Sequence, residues 1–582
     1  MNHFIISKSN QQSFGQTKIK LTEHWDLIMQ GKKYYDYSNT NTRIIIIGDY
    51  IGSKEQLFTV DTNAIPKLRG NFYAIVIKNE NIKVYSSFLN VLPIYHTVNN
   101  TLISSSVELI RQFSKEDFST DKTFILENLL FNYGFFNRTF YTDIKLVPCN
   151  YYLELQQETV IKHKHFETAS LFNKNPLQGS KVADDLSTLF IETTKFYFPD
   201  TPFDIAFTSG FDGRTLVSCA THHGKEFKTF SFGKPNNEDV SIPKKNAADL
   251  NIQYQYFDLG KNTYIDQDYF TNATEYIKQQ PGTNGFIYAH FLYSTKKIAT
   301  HTNYLLSGVI GSELFRALHL TGAVTSKSLA DIFMSSTPQE IKDKIINSPT
   351  IKYLNKDEFK TELEELIQEI INYKDSIPKN LTKNQQFYTF VFEEVFRKFF
   401  GQWISMQMSH VNVRTPFLDF KFITALLKTK YAGANNDFFT ENPLKRMKGQ
   451  YLYTDIIKKT NTKIYHQKTG KGYRPKDLRE PVFIYKIIIP FLLKRFKRKT
   501  KTPNLDNLSI ISGILANKDH IKEYLKDVGP AYFDFSSIHK TLDNLSPYTP
   551  EKERDTLLMM LSILLSIKNS SLTKKQTIIT HE

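Results

Sequence analysis

The sequence has very little cysteine, with only Cys149 and Cys219 among its 582 residues. Two thiols can build neither a disulfide framework nor a cysteine-rich zinc site, and their scarcity fits a reducing compartment. Residues 1–10 lack the apolar core of a signal peptide, and no run reaches the roughly 18 apolar residues of a membrane-spanning helix. We therefore expect a cytoplasmic protein without a disulfide scaffold.

The remaining composition is that of packed globular domains. Hydrophobic residues make up 40% and charged residues 23%, and 46 Phe and 32 Tyr favour large cores, so disorder throughout is excluded. At roughly 100–200 residues per domain, the length predicts two to four domains. The 74 Lys and Arg outnumber the 59 Asp and Glu, giving a net charge of +15. That excess fits a nucleotide, a nucleic acid or a membrane surface as partner, or a Lys-rich composition with no function attached.

Two regions differ in their hydrophobic patterns. Up to about residue 170 the chain reads as β-rich, and Asn79-Glu80 between two strand-like runs predicts a hairpin. From about residue 183, short strands alternate with helices, which predicts a parallel sheet with helices on both faces. Ligands of such sheets bind beyond the carboxyl ends of the strands. Residues 330–480 read as mostly helical, and residues 555–567 as a buried helix.

The most informative segment is FDIAFTSGFDGRTLVSCA at residues 203–220. A strand is predicted to end at Phe207, followed by a turn over residues 208–213 and a helix from Arg214. Such a turn directs backbone N–H groups and the positive end of the helix at one point, which is where an anion binds. The pattern is neither GxxxxGK[ST] nor GxGxxG.

Three residue types in this turn bear on the ligand. Gly210 and Gly213 allow close backbone approach, whereas Asp212 would repel a bare phosphate and so implies a bridging Mg²⁺. Arg214 is disfavoured at the positive helix end unless a bound polyphosphate reverses the local charge. The alternative is a glycine-rich turn in which Asp212 merely caps the helix.

The TSGFDG sequence at residues 208–213 resembles the pyrophosphate-binding loop SGGxDS of the asparagine synthetase family, an ATP-pyrophosphatase class. Further matching segments follow in the family's order: TFSFG at 229–233, LSGVIGSELF at 306–315, VNVRTPFLD at 411–419 and HQKTGKGYRP at 466–475. The N-terminal part resembles the family's glutamine-hydrolysing domain in three segments: GNFYA at 70–74, PIY at 93–95 and TFYTDIKLVP at 139–148.

This resemblance implies an α/β protein of three parts. Residues 1–170 would form a degenerate glutamine amidotransferase-like domain, an Ntn-type α+β sandwich. Residues 180–480 would form a doubly wound parallel-sheet ATP-pyrophosphatase domain, and residues 481–582 its helical C-terminal extension. It also implies that Arg414 and Asp419 lie beneath the active site, where we expect them to form an ion pair.

The implied chemistry uses ATP and Mg²⁺ to adenylate a carboxylate, which an amine then converts to an amide. The resemblance assigns these residues to the nucleotide: Thr208, Ser209, Gly210, Phe211, Asp212, Gly213, Arg214, Ser231, Phe232, Ser307 and Gly308. It assigns these to the metal: Asp212, Ser312 and Glu313. It assigns these to catalysis: Glu313, Lys468 and Lys471, without deciding between the lysines.

Several positions depart from the family pattern. Asn2 stands where the glutaminase has its nucleophilic cysteine, and SSFLN at residues 86–90 replaces RDxxG. Val309 and Asn412 replace two glutamates that shape the substrates, and Ser312 replaces a metal-binding carboxylate. Family members without the cysteine include β-lactam synthetases and lasso-peptide cyclases, which use an amine of the substrate itself.

The leading hypothesis is therefore a ligase of that type, acting on a carboxylate and an amine, with a peptide as one candidate substrate. The alternatives are an ammonia-dependent asparagine synthetase, which Val309 and Asn412 disfavour, and a nucleotide-binding pseudoenzyme, which Gly213 and Ser312 favour. A tRNA-modifying enzyme, and with it a nucleic-acid partner, is disfavoured by VRTPFLD and the N-terminal domain. The basic run from Lys494 to Lys501 is either a solvated face or a peripheral contact to a membrane surface or leader peptide.

The sequence predicts that the protein does not hydrolyse glutamine, because an N-terminal nucleophile needs the cysteine thiol beside its own α-amine. Glutamate release from glutamine should be no greater with the native protein than with a heat-denatured sample. Release that rises with protein concentration would contradict the prediction.

Overall fold

The computed structural model describes residues 3–8, 17–31, 34–114, 116–157, 159–316, 324–436, 448–480, 485–499, 505–526, 528 and 532–579. In chain order the strands are β1 (His3–Lys8), β2 (Thr17–Lys20), β3 (Trp25–Gln30), β4 (Tyr34–Ser38), β5 (Arg43–Ile51), β6 (Arg69–Lys78), β7 (Asn81–Ser86), β8 (Tyr95–Thr97), β9 (Leu102–Ser104), β10 (Ile144–Leu146), β11 (Tyr151–Leu155), β12 (Val160–Lys164), β13 (Phe203–Ala206), β14 (Phe227–Gly233), β15 (Tyr254–Asp258), β16 (Tyr304–Leu306) and β17 (Asn412–Arg414).

The α-helices are α1 (Lys54–Thr59), α2 (Val107–Phe113), α3 (Lys122–Phe131), α4 (Ser180–Tyr197), α5 (Asp212–His222), α6 (Glu238–Leu250), α7 (Tyr269–Gln279), α8 (Gly285–Ile298), α9 (Gly311–Phe315), α10 (Lys327–Met334), α11 (Pro338–Ile346), α12 (Lys360–Ser376), α13 (Lys383–Phe390), α14 (Gly401–Met408), α15 (Phe420–Leu427), α16 (Lys448–Thr460), α17 (Thr462–His466), α18 (Tyr485–Lys499), α19 (Leu505–Ala516), α20 (Lys518–Leu525), α21 (Phe535–Asp543) and α22 (Glu551–Ile579). Two π-helical segments are Tyr264–Asp268 and Val391–Phe400.

Two six-stranded antiparallel sheets form the N-terminal part. Their strand orders are β10-β8-β9-β1-β3-β2 and β12-β11-β7-β6-β5-β4. Successive side chains of a strand point to opposite faces, and in β5 both faces are buried. Ile45 and Ile47 pack in the core that includes β1 and β3, whereas Ile44 and Ile46 pack with Leu57 of α1. Apolar packing therefore stabilises both sheets.

The predicted hairpin is confirmed between β6 and β7. Asn79 and Glu80 both adopt left-handed φ angles, 48° and 58°, and Lys78 pairs with Asn81. A two-residue turn with positive φ at both positions is type I′, whose twist matches that of the flanking strands. Asparagine tolerates a positive φ well, which is why Asn79 indicated a turn in the sequence.

The second part contains a five-stranded sheet of order β15-β14-β13-β16-β17, in which all neighbouring strands are parallel. The predicted mixed α/β class and parallel sheet are thus confirmed. From β13 the chain adds β14 and then β15 on one side of the sheet. It then returns to the other side of β13, where β16 and β17 lie. Helices such as α5 and α6 connect the parallel strands, because parallel neighbours cannot be joined by a tight turn and need a crossover connection.

Ion pairs join the N-terminal sheets to β17 and the segment after it. Arg414 donates from Nε and Nη2 to the Asp49 carboxylate at 2.6 and 2.9 Å, and Arg69 donates from Nε to Asp419 Oδ2 at 2.9 Å. The expectation that Arg414 and Asp419 pair with each other is therefore wrong. Each binds a residue from the second N-terminal sheet, because that sheet packs directly against β17.

The C-terminal part is helical in the described residues. Leu557 and Leu561 of α22 are fully buried, which confirms the predicted apolar helix at residues 555–567. Among the described residues, no helix is both long and apolar enough to cross a bilayer. The backbone of α18 reaches Lys499, whereas the side chains of the run from Lys494 to Lys501, like residues 1–2, lie outside the described part.

We predict that Asp49→Ala lowers the free energy of unfolding by about 3–5 kcal/mol, because it leaves the buried Arg414 guanidinium without its carboxylate. Urea unfolding followed by circular dichroism measures the change. The double variant Asp49→Ala/Arg414→Met should recover part of the loss, since it also removes the buried charge. A double variant less stable than the single one would contradict this account.

Candidate functional site

The candidate site lies where the order of the parallel sheet reverses. β13 and β16 are neighbours, and the segments that follow them lead to α5 and α9. Connections that leave adjacent strands toward opposite sides open a crevice at the carboxyl edge, the usual ligand position in such sheets. The residues predicted to bind the nucleotide lie at the ends of β13, β14 and β16. All three strand ends lie at this edge of the sheet.

The candidate phosphate turn, residues 208–213, is held by its own and neighbouring groups. The Ser209 N–H donates to Asp239 Oδ1 at 2.9 Å, and the Gly210 N–H lies 3.4 Å from Thr208 Oγ1. The side chains of Thr208 and Ser209 are partly exposed at the edge of the sheet. Asp239 of α6 thus fixes the turn from the side of β14.

Gly213 has a steric reason to be glycine. A Cβ at this position would overlap the carbonyl oxygen of Ala206 and lie 3.3 Å from Phe207 Cα. The first turn of α5 therefore packs against the backbone of β13 more closely than any side chain allows. By contrast, a Cβ at Gly210 would meet only Thr208 Oγ1, at 3.6 Å. The departure from the family's serine thus follows from local packing.

Asp212 joins three segments of the chain. Ser312 Oγ donates to Asp212 Oδ2 at 2.6 Å, and the Tyr453 hydroxyl donates to Oδ1. Gly308 packs against the same residue, because a Cβ there would lie 2.6 Å from Asp212 Cβ. At the first residue of α5, the carboxylate also faces the positive end of the helix. The segments after β13 and β16 and helix α16 converge on this side chain.

Tyr453 was missed by sequence reasoning. It is 1% exposed, and its ring centroid lies 4.2 Å from that of Phe315 and 5.8 Å from that of Phe211. Burial, and next the Asp212 charge, raise the pKa of Tyr453 well above its usual value, so the hydroxyl keeps its proton as a donor. No local motif marks this tyrosine, and only the packing of α16 brings it here.

Glu313 lies one residue beyond Ser312 in α9. Burial, and next the neighbouring Asp212 charge, raise the pKa of Glu313 to about 7. Ile310, before this helix, adopts a left-handed φ of 71° although it is β-branched and fully buried. Such a residue is strained there, and the resembled family has glycine at this point of its motif.

The lysine loop, residues 468–471, lies directly on the phosphate turn. The Gly470 N–H donates to the Ser209 carbonyl at 3.0 Å, and a Cβ at Gly470 would overlap Ser209 Oγ. Lys471 is partly buried, with Nζ 5.7 Å from the Phe211 ring centroid. Burial and then the Arg316 charge lower the pKa of Lys471 to about 7, while Asp212 opposes them.

Lys468 and Arg214, which the sequence assigns to catalysis and to the nucleotide, contact each other. The Lys468 side chain is exposed, and its carbonyl accepts from Arg214 Nη2 at 3.0 Å. Arg214 is fully buried, and with the Asn246 amide oxygen turned toward it, Nη2 and Nη1 also donate to Asn246 at 2.9 and 3.3 Å. Arg214 therefore supports the lysine loop from beneath.

The residues predicted to border the nucleotide lie at the same carboxyl edge. Ser231 is buried with Oγ 2.6 Å from the Tyr254 hydroxyl, and the Phe232 ring packs at 4.6 Å from that of His290. The Ser307 N–H donates to the carbonyl of Arg414 at 3.0 Å.

The structure separates Val309 and Asn412, the two positions that the resemblance assigns to shaping the substrates. Val309 follows β16 at the carboxyl edge, where its carbonyl accepts from Thr415 Oγ1 at 3.1 Å. Asn412 begins β17 and pairs with Tyr304, at the amino end of the strands. Only Val309 lies at the edge that carries the candidate site.

The donors available to a cation are the carboxylates of Asp212 and Glu313 and the hydroxyl of Ser312. The described residues contain no group of three His, Cys, Asp or Glu that could hold a metal by themselves. Mg²⁺ commonly binds one or two carboxylates and completes its shell with water and substrate phosphates. Each Asp212 oxygen has two lone pairs, so its hydrogen bonds leave acceptor capacity. This donor set fits Mg²⁺ brought in with a polyphosphate.

Residues 198–483, just under half of the chain, match the asparagine synthase family model. This part of the chain is therefore similar to the asparagine synthase family, an ATP-dependent ligase family. No curated protein matches the chain. Among solved structures, glutamine phosphoribosylpyrophosphate amidotransferase from B. subtilis, complexed with ADP and GMP, is similar at 10% identity and a TM-score of 0.17, over 60% of this chain and 83% of that one.

The two glycines of the phosphate turn provide a matched stability test. Gly213→Ala should lower the free energy of unfolding by roughly 1–3 kcal/mol, because the added Cβ overlaps the β13 backbone. Gly210→Ala should change it by less than about 0.5 kcal/mol, since the space there is open. Urea unfolding of both variants measures the difference, and equal losses would contradict the packing described for Gly213.

Proposed function

We propose that this protein is an ATP-dependent ligase that adenylates a carboxylate and forms an amide from it without hydrolysing glutamine. The observation that carries the proposal is the convergence of Asp212, Glu313 and Lys471 on the phosphate turn, inside the region that is similar to the asparagine synthase family. The sequence alone left two lysines and the geometry of the carboxylates open.

The turn supplies the binding site for the ATP phosphates. N–H groups at the start of α5 and the hydroxyls of Thr208 and Ser209 can donate to phosphate oxygens, and the helix dipole favours negative charge. Asp212, Ser312 and Glu313 would hold Mg²⁺, which when bound neutralises phosphate charge. Burial first and the Asp212 charge second raise the pKa of Glu313, and a bound cation would favour the charged form of this carboxylate.

Lys471 is the better candidate for neutralising the departing pyrophosphate. Its pKa of about 7 reflects a partly buried ammonium with too little negative charge around it, so polyphosphate binding would favour the charged form. Lys468 is exposed and contributes its backbone carbonyl to Arg214. The preorganised charge at residue 471 would act where negative charge develops.

The reaction has two balanced steps. A carboxylate oxygen attacks the α-phosphorus of ATP, the bond from that phosphorus to the bridging oxygen breaks, and pyrophosphate leaves from an acyl-adenylate. An amine nitrogen then attacks the acyl carbon, the bond to the AMP oxygen breaks, and the nitrogen loses a proton. Nitrogen from glutamine is not needed when the substrate carries its own amine, as in β-lactam synthetases and lasso-peptide cyclases.

Two sequence positions support a substrate of that kind. Asn2 cannot replace a nucleophilic cysteine. Val309 offers an apolar surface at the site edge, where ammonia and aspartate would call for a polar one.

A nucleotide-binding pseudoenzyme is the second candidate, because both oxygens of Asp212 already accept hydrogen bonds from Ser312 and Tyr453.

The proposal predicts exchange of labelled pyrophosphate into ATP in the presence of a suitable carboxylate, assayed over amino acids and peptides. Asp212→Ala should abolish the exchange. Lys471→Met should lower it by about 10²–10³-fold, because it removes charge stabilisation in a buried site. Lys468→Met is the matched control and should lower it by less than about threefold, since its exposed charge is screened by solvent.

Binding of a fluorescent ATP analogue to each variant separates loss of chemistry from loss of folding. ATP binding without exchange for any carboxylate would favour the pseudoenzyme. Equal losses in Lys468→Met and Lys471→Met would contradict the role given to Lys471.

A further inference from the structure

Helix α18 carries a stripe of exposed apolar side chains. Its exposed members are Tyr485, Ile488, Ile489, Leu492 and Leu493, of which Leu493 is 56% exposed. Their spacing of three and four residues places them on one face of the helix. Other exposed apolar side chains, such as Leu177 and Tyr548, occur singly, which is ordinary for a protein surface. Five within nine residues form a continuous apolar surface.

The opposite side of α18 attaches it to the rest of the protein. Ile487 packs against the main hydrophobic core, and Pro490 lies against Gly472, where a Cβ would come within 2.9 Å of Pro490 Cβ. Gly472 follows the lysine loop directly and has a φ of 89°. The helix is therefore held on the surface with its apolar stripe turned outward.

The surroundings of this stripe are strongly basic. A cavity of about 290 Å³ beside it is lined by Lys468, Arg474 and Lys486, together with one carboxylate, Asp477. Asp477 accepts from the backbone and side chain of Arg474, so it is already paired. In the sequence, residues 481–504 contain seven Lys and Arg and no Asp or Glu. Five of these cations occupy the last two turns of the helix: Lys494, Arg495, Lys497, Arg498 and Lys499.

We propose that α18 docks the protein on an anionic lipid surface, lying in the plane of the interface with its apolar stripe toward the acyl chains. An interfacial helix needs an apolar face, a cationic flank and a length too short or too polar to cross the bilayer. Cations near anionic headgroups add attraction that falls with salt. A protein groove would match the apolar stripe but gives no reason for seven Lys and Arg without Asp or Glu in residues 481–504.

Co-sedimentation of the full chain with vesicles tests this proposal. Binding to phosphatidylcholine vesicles should rise at least about tenfold when phosphatidylserine is included, and should fall as salt is raised. Leu492→Ser/Leu493→Ser should reduce binding to mixed vesicles by about tenfold or more, because two exposed apolar side chains no longer enter the acyl boundary. The matched control, Leu177→Ser/Tyr548→Ser, should bind as the unchanged protein does.

Several outcomes would overturn the proposal. These are equal binding to neutral and mixed vesicles, unchanged binding by Leu492→Ser/Leu493→Ser, or equal losses in the control. Light scattering that shows an α18-dependent dimer without vesicle binding would assign the stripe to a second copy instead. Lys471→Met should bind vesicles normally, so this result is distinguishable from failure of the proposed ligase chemistry.

Discussion

The reversal of strand order between β13 and β16 is the constraint on which the candidate site depends. In open α/β sheets the segments that follow two neighbouring strands at such a reversal run to opposite sides, and a crevice between them is the general position for a ligand. Asp212 begins one segment and Ser312 lies in the other, and their hydrogen bond spans this crevice. Gly213 and Gly308 allow the backbones to approach closely enough for that contact. A shift of either strand would separate the carboxylate from the residues that surround it.

Buried polar contacts keep this arrangement in place from below and from the side. The Arg414–Asp49 and Arg69–Asp419 pairs hold the N-terminal sheets against β17, and β17 in turn pairs with β16. On the other side of the site, Arg214 fixes the lysine loop through the carbonyl of Lys468. Breaking such a contact leaves a buried polar or charged group without its partner, so these contacts favour one arrangement of the elements.

The candidate site and the proposed membrane surface share one segment of chain. The lysine loop rests on the phosphate turn, and Gly472, just after it, contacts Pro490 of α18. The sequence indicated both regions separately, one through TSGFDG and HQKTGKGYRP, the other through the basic run from Lys494 to Lys501. Their contact arises only because the chain folds back between them. The contact between Gly472 and Pro490 thus links the candidate site to the proposed membrane surface.

The β-rich and α/β regions, the hairpin, the parallel sheet and the motif segments could be predicted from the sequence, because they follow from local periodicity, turn chemistry and short residue patterns. Tertiary structure decided which side chains meet. Tyr453 joins Asp212 through the packing of α16, Lys471 rather than Lys468 enters the partly buried position, and Arg414 pairs with Asp49 of β5. Partners separated by hundreds of residues leave no local pattern, since only the folded chain sets the distance between them.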